Sequence, residues 1–177
     1  MSNFFGIDPS TKTGLAMVDE GAALLDCELI TSKFTKLEEV RRIDDIVTQV
    51  IGWVSERYCD QDVVCIESPS FASRGNYVAQ QGALGYMMRV EMTRKGIDYI
   101  DAAPSQLKKF ISGNAVEKKE NLILPLYLKY GFEHKDDNVR DAFGLAQIAR
   151  SAALNLWLDE KQREVITKIR REEKCIV

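Results

Sequence analysis

Four acidic residues stand where side chains of their type would hold a divalent cation. Asp8 closes the run Asn3-Phe4-Phe5-Gly6-Ile7 and opens the turn Pro9-Ser10-Thr11-Lys12-Thr13-Gly14. Glu67 closes a second run, Val63-Val64-Cys65-Ile66, and precedes Ser68-Pro69. Asp137 and Asp141 lie four residues apart at the start of an alanine-rich stretch, a spacing that sets both on one helix face. A carboxylate at the end of a buried strand is costly unless something pairs with it. Oxygen ligands drawn from several segments suit Mg²⁺ or Mn²⁺, and two such ions about 3.5–4 Å apart clamp a phosphodiester for hydrolysis. Each residue has a plainer reading as well. Asp8 suits an Asx turn, Glu67 a strand-end charge reaching solvent, and Asp136 and Asp137 the capped, acidic start of a helix. Asp141 is harder to explain that way, because Ala142, Phe143, Leu145 and Ala146 make its surroundings apolar. The coincidence of all four favours one site.

Such residues need elements to position them. Phe4 to Asp8, Gly14 to Val18 and Ala22 to Ile30 read as a three-stranded meander, with Pro9, Ser10, Thr11 and Gly14 in its first turn and Gly21 in its second. Val40, Ile43, Val47, Val50, Ile51 and Val54 recur at helical steps. They predict an amphipathic helix over 36–58, with Thr35 as N-cap and Glu38 completing a capping box. Val63 to Glu67 is apolar on both faces, as a central strand is. A loop from Pro69 to Asn76 leads into a helix over 77–95 that Gly96 stops, and Ile97 to Ile100 reads as a short fifth strand. Pro104 starts a helix ending near Gly113. Another covers 117–129, with a kink or break expected at Pro125, and a long one covers 137–158. From Asp159 to Lys174 charges alternate with little apolar face, predicting a solvated helix extension or a partly disordered segment. The order of elements argues for an α/β fold: a five-stranded mixed sheet flanked by helices on both faces. The chain divides into a domain over 1–158 and a charged C-terminal helix or tail over 159–177.

A chain of 177 residues buries one good core and is short for two. No apolar stretch reaches the length of a membrane span, and the N-terminus lacks the pattern of a secretory signal. The four cysteines show no CxxC spacing, and His134 is the sole histidine, which argues against zinc and for reduced thiols in the cytoplasm. A net charge of −3 does not announce a nucleic-acid binder. Much of the acidity belongs to the candidate site and to Glu38, Glu39, Asp44 and Asp45. Basic residues recur at Arg74, Arg89, Arg94, Lys95, Lys108, Lys109, Lys118 and Lys119, and about half of them are expected to face phosphates.

The stretches Gly6-Ile7-Asp8-Pro9-Ser10 with Gly14, Ile66-Glu67, and Asp141-Ala142, taken in order, resemble the RuvC family of Holliday-junction resolvases within the RNase H-like superfamily. Ser105-Gln106-Leu107-Lys108 and Gly113-Asn114-Ala115 followed by Lys119-Glu120 are similar to that family's lysine segments. Gln81-Gly82-Ala83-Leu84-Gly85 is similar to its dimer-forming helix, so the resemblance runs from Phe4 to about Arg150. It implies an RNase H-like sheet, with Asp8, Glu67, Asp137 and Asp141 as catalytic ligands of two Mg²⁺ ions, which Mn²⁺ would replace. Lys108 and Lys119 would act at the scissile phosphate, as pre-placed cations do. It implies a homodimer matched to the near-twofold symmetry of a four-way DNA junction, and paired symmetric nicks leaving 5′-phosphate and 3′-hydroxyl ends. Phe71 would wedge into the junction by stacking on an unpaired base, with Arg74, Lys109 and Lys118 also on the DNA. Bacterial members carry Asp-x-x-Asp in the last motif. Here Asn138 fills the first of those positions, and Asp137 gives the four-residue spacing of phage-encoded relatives. The implied setting is the cytoplasm of a bacterial cell or a phage-infected host.

Three rivals share parts of this pattern. The first motif also resembles the phosphate-binding turn of actin-like ATPases and sugar kinases, but those are larger, two-domain proteins, and no second glycine-rich phosphate loop is present. Another RNase H-like nuclease, acting on flaps, forks or RNA–DNA hybrids, would use the same carboxylates; the dimer-like helix and the Phe71 loop favour branched DNA. A catalytically inactive junction-binding protein would have no need of all four acids.

Overall fold

Three antiparallel strands open the chain: β1 (Phe4–Asp8), β2 (Lys12–Val18) and β3 (Leu24–Thr31). The computed structural model describes residues 2–69 and 76–174. β4 (Val63–Glu67) and β5 (Tyr99–Ala102) join in parallel, giving a mixed sheet in the order β3-β2-β1-β4-β5. Six α-helices surround it among the described residues: α1 (Glu39–Ser55), α2 (Asn76–Arg94), α3 (Pro104–Ser112), α4 (Ile123–Tyr130), α5 (Asp137–Leu154) and α6 (Glu160–Lys174).

Strand side chains alternate between faces, and the alternation divides the core in two. Phe4, Ala16, Val18, Cys65 and Ala102 pack with α3, α4, α5 and α6. Phe5, Ile7, Leu15, Val64 and Ile66 pack with α1 and α2. Helices cover both faces, as expected, and β1 and β4 sit centrally with apolar residues on either side.

Several boundaries differ from the sequence reading, each for a local reason. The segment 36–58 divides into a 3₁₀ turn, Lys36–Glu38, and α1; Glu38 accepts from the Thr35 N–H at 3.5 Å. The fifth strand starts at Tyr99 rather than Ile97, because residues 96–97 complete the end of α2. Gly96 takes φ 67°, and the Ile97 N–H donates to the Met92 carbonyl at 2.9 Å. The break expected near Pro125 falls upstream, between a 3₁₀ turn, Lys119–Leu122, and α4. Pro125 is then the third residue of α4, where an N–H has no intrahelical partner to lose. α5 stops at Leu154, since Asn155 takes φ 57°.

The tail reading requires a larger correction. α6 is an amphipathic helix packed on α3 and α5. Val165, Ile166 and Ile169 are buried, and buried Gln162 donates to the Phe110 carbonyl at 3.3 Å and to the Tyr130 hydroxyl at 2.8 Å. Three apolar residues at i, i+1 and i+4 suffice for a narrow buried stripe among many charges. Among the described residues no helix is long and apolar enough to cross a membrane.

Candidate active site

Ile7 and Ile66 are register partners in the parallel β1–β4 pair, so Asp8 and Glu67 follow side by side at the ends of neighbouring strands. The alternation that puts Phe4 and Cys65 under α5 sends Asp8 and Glu67 to that same face. Two glycines set how near α5 comes. A Cβ on Gly6 would lie 1.9 Å from the Ala142 carbonyl oxygen, and one on Gly14 would lie 2.1 Å from that of Asn138. The helix backbone therefore rests directly on β1 and β2, which delivers Asp141 to Asp8. Asp136 caps α5 by accepting from the Asn138 N–H at 3.0 Å, so the helix begins at Asp137. The turn after Asp8 is tied by its own hydroxyls: Thr13 Oγ1 donates to the Ser10 carbonyl at 2.7 Å, and Ser10 Oγ donates to that of Lys12 at 2.8 Å.

Asp8 is 4% exposed and Asp141 5%. Burial, then the neighbouring Glu67 and Asp141 carboxylates, holds Asp8 well above the usual carboxyl range, and Asp8 hydrogen-bonds Glu67. Burial and the Asp141 charge push Glu67 up to about 7. Burial also raises Asp141, against the pull of Lys119. Lys119 Nζ lies 2.6 Å from Asp141 Oδ2 and 3.3 Å from Asp137 Oδ2. Burial opposes the lysine's charge, but Asp141, Asp8 and Asp137 together outweigh it and raise the amine above its ordinary range. Asp137 is lowered: its slight burial is outweighed by Lys119. Thus Asp137, rather than Asn138, shares Lys119 with Asp141. Even with Lys119, Lys108 and Arg140 acting on the four acids, Asp8, Glu67 and Asp141 stay raised above the ordinary carboxyl range.

Among the described residues no group of three or more His, Cys, Asp and Glu is arranged to hold a metal ion. The reason is visible in the contacts: Asp141 and Asp137 turn to Lys119, and Asp8 and Glu67 turn to each other. The residues fit a divalent metal by chemistry and charge. They are hard oxygen donors from three segments, short of positive charge.

The other sequence-assigned residues divide. Lys108, on α3, is near enough to Glu67 to favour its ionised form. Lys109 points elsewhere, pairing with Glu164 of α6 at 2.6 Å. Lys118 is exposed just before the 3₁₀ turn that carries Lys119. Phe71 and Arg74 lie outside the described residues. Of the other basic residues, Arg94 pairs with Glu91 at 2.5 Å. Arg89 is buried against the end of β4, donating to the Glu67 carbonyl at 3.1 Å. Sequence reasoning grouped Arg89 with the surface cations. The signal available was its place among Leu84, Met88 and Met92, the buried residues of α2.

A mixed sheet whose central parallel strands end in acids, covered by a helix bearing more, is the arrangement of an RNase H-like fold. A family model described as crossover junction endodeoxyribonuclease RuvC matches residues 4–149, and the chain belongs to that family. The family's enzymes are metal-dependent nucleases that resolve Holliday junctions, and that is the activity class of this chain. Thermus thermophilus RuvC superposes with a TM-score of 0.69 at 22% identity, covering 86% of this chain and 96% of that one. T. thermophilus RuvC in complex with a Holliday junction substrate gives 0.70 at 19%, covering 87% and 96%. The yeast mitochondrial Holliday junction resolvase Ydc2 gives 0.57 at 10%, covering 98% and 83%. At these identities the likeness is one of fold. No curated protein matches the chain significantly.

Proposed function

We propose that the chain cuts four-way DNA junctions by metal-assisted phosphodiester hydrolysis, with Asp8, Glu67, Asp137 and Asp141 as ligands of two Mg²⁺ ions that Mn²⁺ can replace. The observation that carries this reading is the meeting of Asp8, Glu67 and Asp141, from β1, β4 and α5, with too little positive charge nearby for all to ionise. Bound there, divalent ions supply the Lewis acidity that activates water and neutralises the leaving oxygen. Asp8 takes the central place, since it interacts with both Glu67 and Asp141. Lys119 pairs with Asp137 and Asp141 here, and with divalent ions held by those carboxylates it would be free to face the phosphate. Lys108 approaches from the Glu67 side, and the two lysines stabilise charge on the phosphoryl oxygens. The ends left are a 5′-phosphate and a 3′-hydroxyl. Phe71 and Arg74 are assigned to the junction DNA with Lys118; Lys109, held by Glu164, is assigned to its edge.

The T. thermophilus complex with a Holliday junction supports branched DNA as the substrate. The exposed apolar residues Tyr86, Met87 and Val90 of α2 support a homodimer built on that helix. A twofold dimer presents one site to each of two opposed strands, which gives paired nicks. The cytoplasm of a bacterial cell or phage-infected host is the setting that fits this substrate.

The test is cleavage of a synthetic four-way junction and of linear duplex, with Mg²⁺ or EDTA, by the native chain and by Glu67→Gln. The expected result is paired symmetric nicks on the junction alone, lost with EDTA and in the variant, while the variant still binds the junction. Cleavage by Glu67→Gln overturns the site. Binding without nicks under both Mg²⁺ and Mn²⁺ overturns the enzyme reading, and preferential cutting of flaps or RNA–DNA hybrids overturns the substrate.

A further inference from the structure

Arg89 is 7% exposed, and all three of its guanidinium nitrogens donate hydrogen bonds. Nη1 donates to the Gly85 carbonyl at 2.8 Å, on the preceding turn of α2. Nη2 donates to the Glu67 carbonyl at 3.1 Å. Nε donates to Asp101 Oδ1 at 2.9 Å, and Nη2 shares that carboxylate. One side chain thus joins α2, the end of β4 and β5. The place is significant. Asp101 is the register partner of Ile66, and the β4–β5 ladder ends with Glu67 opposite Ala102 and the Ser68 N–H on the Ala102 carbonyl at 2.8 Å. Past that point the chain turns to Pro69 with nothing else holding the carbonyl of Glu67 in the described contacts. Gly85 completes the arrangement: a Cβ there would lie 3.0 Å from Arg89 Nη1 and 3.9 Å from Pro9 Cβ, so α2 also rests against the residue after Asp8.

We infer that Arg89, braced by Asp101, is a positioning residue of this nuclease: it holds the β4 terminus through the Glu67 carbonyl and so sets the aim of the Glu67 carboxylate. The inference rests on the proposed role of Glu67. A planar guanidinium reaches the three partners at fixed angles, and neither lysine nor a neutral side chain reproduces that. A fork buried beside a half-exposed acid is poor stabilising material, because removing two charges from water offsets their attraction. Its position at the strand end is what it contributes. Groups that orient metal-binding side chains without touching the metal act through metal affinity and turnover rather than through substrate binding.

The experiment compares the full chain with Arg89→Met, Arg89→Lys, Asp101→Asn and Glu67→Gln. Readouts are junction affinity in EDTA, single-turnover cleavage, the Mn²⁺ concentration for half-maximal cleavage, and melting temperature. Arg89→Met is expected to lower cleavage roughly 10–100-fold and to raise the Mn²⁺ requirement, with junction affinity unchanged. Excess Mn²⁺ recovers part of the rate, and Arg89→Lys falls between Arg89→Met and native. Asp101→Asn, which keeps an acceptor for Nε, loses less than Arg89→Met. If Arg89→Met lowers only the melting temperature and cuts normally below it, the inference is overturned. Should Arg89→Met fail to fold, native Mn²⁺ dependence in both Arg89→Lys and Asp101→Asn overturns it equally. Native cleavage by Glu67→Gln instead overturns the site itself, whatever the Arg89 variants do.

Discussion

At the scale of single residues, the site stores an imbalance of charge, and pH reads it out. Glu67 keeps its proton up to about 7 in the folded chain, against an ordinary value of 4.5. Asp8 is raised too, by burial first and by its acidic neighbours second. The folded chain therefore binds more protons than the unfolded one between those limits, and unfolding releases them. The contribution of these two carboxyls to the stability of the metal-free protein is full below about pH 4.5 and is expected to be lost as pH rises to about 7, because each group is raised rather than lowered. Saturating Mn²⁺ takes the place of those protons and flattens the fall. Thermal melts across that range, in EDTA and in Mn²⁺, check this. Glu67→Gln should lose part of the slope, and a metal-free stability that rises over the window would contradict the charge assignment.

At the scale of elements, the site depends on how closely α5 lies on the sheet. Gly14→Ala puts a Cβ 2.1 Å from the Asn138 carbonyl oxygen, against helix backbone rather than a side chain that can swing away. Overpacking of a core costs about 1–3 kcal/mol, and a backbone clash stands at the upper end or beyond. The expected result is a large drop in melting temperature, together with loss of cleavage in whatever still folds, since Asp137 and Asp141 move with α5. Gly52→Ala, where nothing lies within 4 Å of the new Cβ, should do neither and serves as the control. The same close approach explains what the sequence disclosed. Gly6 and Gly14 stood in the first motif beside Asp8, so the resemblance carried the packing without stating its cause. Strands β1 and β4 were legible from runs ending in an acid. The fifth strand was misplaced because Ile97, though apolar, serves a helix cap. α6 was underread because charge alternation concealed a stripe only three residues wide. The four acids were legible by type and spacing. Lys119 was legible by resemblance alone, and its bridge to Asp137 and Asp141 was not, because that contact joins segments 18 and 22 residues apart. Arg89 was missed because its charge was read ahead of its place among Leu84, Met88 and Met92, the buried residues of α2.

At the scale of the whole molecule, α2 is an element next to the site that leaves an apolar side uncovered. Its inner side buries Leu84, Met88 and Met92 and carries Arg89 to the end of β4. Its outer side shows Tyr86 at 56% exposure and Val90 at 48%, one helical turn apart, with Met87 beside them. A helix apolar on both sides belongs between two layers, and this chain supplies one. In the proposed homodimer a second copy, packed through the same outer side, would supply the other and make a closed twofold pair. Replacing Tyr86 and Val90 together by Glu places two like charges in that contact, and four across the twofold. The expected outcome is a monomer by light scattering, with the melting behaviour of each subunit's own core retained. On a supercoiled plasmid that extrudes a cruciform, the native dimer is expected to cut both strands in one encounter and release linear DNA. The double variant nicks once, the cruciform relaxes, and nicked circle accumulates. Because Gly85 and Arg89 face the other way, the single nick should still require the same metal concentration. Linear product from a protein that light scattering shows to be monomeric would rule out the dimer, since paired cutting would then need no partner.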